Sequence, residues 1–141
     1  MAILSTLLLA CALHVGTIPV SHRWRLEAVD APVAEPGVDE QVRSAVLDAL
    51  AARRALGEDG VPLRVTVVEA SCSPARRSGD VLLYEARLAV IFSGEGHDST
   101  RRQWRTFVDP GTAGEGRAAR EAAFADLARR VAEDGVSWLL Q

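Results

Sequence analysis

The chain of 141 residues contains no lysine: all 16 of its basic side chains are arginine. Against them stand 19 carboxylates, leaving a net charge of −3, so no bulk positive field draws the protein to nucleic acid. Aromatic residues make up only 5%, too few for the stacking platform that single strands require. Cysteine occurs twice, at Cys11 and Cys72, which is too sparse and too widely spaced for a structural zinc site. After the first dozen residues no apolar run approaches the roughly 18–20 residues of a membrane span. Glycine-rich signatures are missing as well, because Gly94-Glu95-Gly96 lacks the third glycine and following helix of a dinucleotide-binding turn.

What remains is the composition of an ordinary globular domain, 48% hydrophobic and 25% charged. Its N-terminus is distinct. Residues 2–13 are apolar apart from Ser5, Thr6 and Cys11, and Leu8-Leu9-Ala10-Cys11 resembles a bacterial lipobox, in which the cysteine receives a lipid. The apolar stretch and the small Ala10 suit a signal peptide, although the usual charged n-region is missing. The alternative is a short core element with a buried cysteine, which shows neither alternation nor a helical stripe here. The expected organisation is a cleaved signal at residues 1–10, a lipidated tether at 11–22 starting with Cys11, and one domain at 23–141. Acylation of Cys11 would leave Cys72 a lone thiol; without it, a Cys11–Cys72 bridge becomes available in an oxidising compartment.

Residues 23–33, RWRLEAVDAPV, alternate Trp24, Leu26 and Ala28 against Arg23, Arg25 and Glu27, the period of a half-buried strand. Glu35-Pro36-Gly37 turns into residues 38–56, where Val38, Val42, Ala45, Val46, Ala49 and Leu50 recur at helical spacing. Strands are expected at 63–70, 81–93 and 101–108, with SCSPARRSGD (71–80) as a polar loop between the first two. A second helix is expected over about 116–133, capped by Thr112 with Glu115 and stopped near Asp134-Gly135. The order β-α-β-β-β-α predicts an α+β two-layer sandwich: a four-stranded, mostly antiparallel sheet with two helices on one face. The opposite face is then expected to carry Arg25, Glu27, Arg64, Thr66, Glu85, Arg87, Arg101 and Arg105, either as a solvated surface or as a docking surface.

No enzyme chemistry stands out. His97-Asp98-Ser99 are consecutive in a turn and cannot form a nucleophile–base–orienter geometry. The stretch DPGTAGEG (109–116) precedes a helix and suits capping better than anion binding. The sequence therefore points to no catalytic residue, no metal and no cofactor beyond a covalent lipid at Cys11. The doublets Arg76-Arg77 and Arg101-Arg102 are expected at opposite ends of the sheet.

Cys11-Ala12-Leu13 with Gly16 and Pro19, then a strand, then Glu35-Pro36-Gly37 opening a helix that ends Arg53-Arg54-Ala55-Leu56, resemble the lipopolysaccharide-assembly lipoproteins of Gram-negative outer membranes. The likeness runs from Cys11 to the C-terminus, with Ala12 and Leu13 standing where that family has glycine and an aromatic residue. It implies a non-enzymatic lipoprotein on the periplasmic side of the outer membrane, plugging a large β-barrel translocon, with lipopolysaccharide as a further ligand. The arginines expected to meet partner or lipopolysaccharide are Arg25, Arg64, Arg76, Arg77, Arg87, Arg101, Arg102 and Arg105. Competing readings are another envelope lipoprotein, such as an accessory subunit of a lipid transporter or a cell-wall synthase activator, and an unlipidated small-molecule-binding domain.

Overall fold

A computed structural model describes residues 22–33 and 35–141. The expected signal segment, Cys11 and all of the tether before His22 lie outside the described residues. The elements are β1 (Trp24–Asp30), α1 (Val38–Ala52), β2 (Val61–Ser78), β3 (Val81–Gly94), β4 (His97–Val108) and α2 (Ala113–Leu139). They form one sheet in the order β1-β2-β3-β4. The β1–β2 pair is parallel, with α1 as its crossover, and β2-β3-β4 is an antiparallel meander. This is the expected α+β sandwich.

Valines at 38, 42 and 46 and Leu50 give α1 one apolar stripe, and all four are buried. Asp39 and Glu40 in the first turn suit the positive end of the helix dipole. The helix stops at Ala52, four residues before the expected end, in a Schellman-type cap. There the Ala55 amide donates to the Leu50 carbonyl (2.9 Å) and the Arg54 amide to the Ala51 carbonyl (3.0 Å). Arg54 takes the left-handed conformation (φ 54°) that glycine usually fills. From the sheet, Leu63, Val65, Val67, Leu88, Val90 and Phe92 meet the α1 stripe and Phe124, Leu127 and Val131 of α2. Each such side chain contributes about 1.5–3 kcal/mol on burial, and no buried polar or charged residue interrupts this core among the described residues.

Four departures from simple periodicity have physical causes. A bulge at Glu27 shifts the β1 register, so that Ala28 pairs with Arg64 and Val29, not Ala28, follows Trp24 and Leu26 onto the core face. Residues 71–78, expected as loop, continue β2, because β3 pairs with them as far as Ser78–Val81. Gly79 (φ 60°) then opens a two-residue hairpin turn. Finally, α2 runs three residues earlier and six residues further than expected and passes through Gly135, which is buried in helix–sheet packing. A side chain there would overlap the Phe92 ring, so this glycine marks a close approach rather than a stop. Thr112 and Glu115 do meet, hydroxyl to carboxylate at 2.6 Å, but as a side-chain pair without the backbone bonds of a capping box.

Candidate functional site

The helix-free face of the sheet is the first candidate. Arg25, Arg64 and Arg87 lie on it as expected and are exposed. Arg64 lies opposite Ser93, whereas Arg87 is six positions away on the same strand as Ser93, roughly 20 Å at strand rise. Arg87 is also held by the Glu85 carboxylate. The three arginines are therefore dispersed over the face.

Arg101 and Arg105 do not belong to that face. Their partners across the β3–β4 ladder are Val90 and Ala86, both core residues, so both arginines project on the helix side. Arg105 donates to Asp126 of α2 (3.0 Å), and Gln103 between them donates to Asp134 (2.7 Å). Arg129 and Arg130 converge on the same Asp126 carboxylate, at 2.8 and 3.0 Å. Burial by itself would raise the Asp126 pKa, but the Arg129 hydrogen bond and the charges of Arg130, Arg105 and Arg129 outweigh it and lower the pKa. β4 is an edge strand, and α2 meets its inner side with carboxylates, so arginine replaces the expected apolar residues there.

The same register turns Trp104 outward. It lies opposite Arg87 on the helix-free face and is 63% exposed, the most exposed large hydrophobic among the described residues. Val68, bulged out of β2, and Val81 and Val108 accompany it, so four of the five exposed large hydrophobics among the described residues lie on this face. Ala89, opposite Arg102, is nevertheless buried on the same side. The surface is thus amphipathic, with arginines set among apolar side chains, where alternation alone suggested a purely polar one. Arg76 and Arg77 flank the β2–β3 turn and Arg101 and Arg102 lie towards the β3–β4 turn, so the doublets occupy opposite ends, as expected.

A second candidate, missed in the sequence, is a cleft of about 980 Å³ between the start of α2, the residues preceding α1 and the far halves of β2, β3 and β4. Tyr84 and Phe107 stack across the β3–β4 ladder (5.9 Å between centroids, 23° between planes) and form part of its wall with Cys72. Arg120 closes one side through a two-pronged pair with Glu35, its Nε at 2.8 Å from Oε1 and its Nη2 on Oε2. That hydrogen bond raises the Arg120 pKa, against a smaller opposing effect of burial. Cys72 is a free thiol. Burial raises its pKa, Arg120 opposes this and Glu35 reinforces it, so the group stays protonated at neutral pH and is a poor nucleophile. No cluster of three potential metal ligands exists among the described residues, and none of their helices is long and apolar enough to cross a membrane.

No family model and no curated protein matches this sequence. Its fold, however, is similar to solved structures. A candidate lipoprotein from Caulobacter crescentus CB15 is 20% identical with a TM-score of 0.58, over 79% of this chain and 89% of that one. A minor lipoprotein from Acinetobacter baumannii is 17% identical with a TM-score of 0.52, over 84% and 96%. A protein of the DUF330 family from Xanthomonas campestris is 13% identical with a TM-score of 0.52, over 84% of each. At these identities the likeness is one of fold: the β-α-β-β-β-α sandwich described here is shared with structures of bacterial lipoproteins.

Proposed function

We propose that the protein is a lipid-anchored, non-enzymatic component of the Gram-negative envelope, acting as plug and assembly partner of the outer-membrane β-barrel that delivers lipopolysaccharide. The observation that carries this reading is the helix-free sheet face, where exposed Trp104 lies among arginines on a fold also found in lipoproteins. Tryptophan and arginine are the residues that most often anchor protein interfaces. The charged part of the face suits a polar barrel lumen, and arginine pairs well with the phosphates of lipopolysaccharide. Cys11 is the proposed lipidation site; stable anchoring needs two or more acyl chains, which lipoprotein maturation would supply.

Labelling cells with a palmitate analogue tests the anchor: the label is expected on the wild-type chain and absent from Cys11→Ala. Equal labelling of both would refute it. Photo-crosslinkers at Arg25, Arg64 and Arg87 test the partner, with adducts to a large outer-membrane barrel expected. Adducts only to inner-membrane transporter subunits would instead support the second reading, an accessory subunit of a lipid transporter. The cleft favours that reading, since its Tyr84, Phe107 and Cys72 wall with Arg117 and Arg120 nearby suits an acyl chain with an anionic head.

A further inference from the structure

The β3–β4 turn fixes which backbone groups of β4 are free. Glu95 and Gly96 both have positive φ (52° and 78°), the signature of a type I′ two-residue turn. Such a turn makes the flanking Gly94 and His97 a hydrogen-bonded pair, and such pairs then alternate along the ladder. The register is unbroken from Gly94–His97 to Leu83–Val108. Odd-numbered residues of β4 therefore bond to β3, and Thr100, Arg102, Trp104 and Thr106 direct their N–H and C=O groups to the outer side. Among the described residues no strand pairs with that side. The backbone of this edge is uninterrupted, since β4 has no proline, no glycine and no bulge; its arginines are its guards, and Arg105 is occupied by Asp126 of α2.

We infer that the outer edge of β4, from residue 100 to 106, is a strand-addition site for an extended segment of a partner protein in which carboxylates and apolar residues alternate along one face. The backbone groups select a strand, as in other cases of sheet-edge recognition. The side chains select its chemistry. Arg102 is exposed and makes no ion pair with a described residue, so a carboxylate on the added strand would sit opposite it. The neighbouring position on the same face, two residues along, would lie beside Trp104 and be apolar. A second copy of this chain is a poor occupant, because residues 99–108 hold three arginines and no carboxylate, and joining two such edges would set arginine against arginine. A barrel wall is equally unsuited, since a closed barrel has no free edge. The segment is then an extended loop or terminus. This inference rests on the reading above only in taking the partner to be a protein.

The test titrates the full chain with a fluorescein-labelled peptide of about ten residues in which every second residue is threonine and the residues between alternate glutamate and valine, so that one face carries both, and with a twin carrying lysine for glutamate. The acidic peptide is expected to bind and to protect the amides of Thr100, Arg102, Trp104 and Thr106 from hydrogen exchange. The basic twin should bind at least roughly tenfold more weakly, since charges directly opposite decide such pairs. Arg102→Pro removes an outward donor and leaves the β3 ladder intact; it should weaken the acidic peptide by roughly tenfold with an unchanged circular dichroism spectrum. If Arg102→Pro perturbs the fold, Arg102→Glu decides, because it should reverse the preference between the peptides. Equal affinity for both peptides, protection in the cleft instead of at the edge, or wild-type affinity in both variants would overturn the inference. So would concentration-dependent dimerisation that protects the same amides without peptide. Crosslinks from Arg25 or Arg64 to the barrel would survive such a failure, which separates it from failure of the partner reading.

Discussion

The two edges of the sheet are made of different material. On one side, β1 is seven residues long, bulged at Glu27, and followed by Pro32. Its first residue is covered: the Trp24 amide donates to the Ala55 carbonyl (2.7 Å) and the Gly57 amide to the Trp24 carbonyl (3.0 Å), a one-residue bridge with Leu56. Beyond Thr66, where β1 pairing ends, β2 itself becomes the edge, and there it is broken by the Val68 bulge, Pro74 and a second bulge at Ala75. On the other side β4 runs straight for twelve residues. Proteins blunt edges to prevent unwanted pairing; the backbone of one side of this sheet is interrupted every few residues, whereas that of β4 is whole and only its arginines blunt it. The difference teaches that an open edge is not the default of this fold but a property of one side of it.

Substitutions that distinguish inward from outward groups on β4 test this contrast most severely. Gln103→Pro removes an inward N–H and should cost on the order of 3 kcal/mol, whereas Arg102→Pro should cost less than about 1 kcal/mol, both read by urea unfolding. Equal costs would mean that the register assigned to the free edge is wrong.

The next effect concerns what holds the open edge to the rest of the molecule. Asp126→Asn releases Arg105 and should cost about 1 kcal/mol at pH 7, a modest value because the arginines are substantially exposed. The Asp126 pKa is lowered in the folded state, so its stabilisation is full above the ordinary carboxylate pKa of about 3.9 and fades as pH falls through the lower folded value. Wild type and variant should thus converge in stability at strongly acid pH, as followed by thermal melts across pH 2–7.

The smallest effect belongs to the closed edge. Arg54→Gly relieves the left-handed residue that aims residues 55–57 at Trp24, and should raise stability by about 0.5–1 kcal/mol in the same urea assay. A loss would show that the Arg54 side chain contributes more than its backbone strain costs.

The sandwich, its element order and most of its core were readable from the chain, because Val38, Val42, Val46 and Leu50 and the alternation of β3 admit one buried face each. At β4 the structure inverts the expected phase, with Arg101 and Arg105 on the helix side. Alternation in RRQWRTFV fixes a period but not a phase, and hydrophobicity alone favours Arg101 and Arg105 outward with Trp104 inward. The missing phase was present in Glu95-Gly96: a two-residue turn pairs Gly94 with His97 and so places Arg101 beside Val90. The β1 and β2 bulges had no comparable signal, since an inserted residue changes the phase without changing the composition. The cleft was invisible for another reason. Glu35 and Arg120 are 85 positions apart, and only the packing of α2 against the residues before α1 brings them together.

The meander carries a consequence for how the molecule forms. β2, β3 and β4 are joined by two-residue turns, so their pairing can start from local contacts and is expected to precede that of β1. β1 needs the whole of α1 as crossover before it can pair with β2, and its covering bridge needs the end of that helix in place. The β1 edge is therefore expected to be completed after the β4 edge, an order that pulse-labelled hydrogen exchange during refolding would check. On that order a refolding chain would offer Thr100 to Thr106 before the domain is finished, so the order of folding would also set when the proposed strand-addition site becomes available.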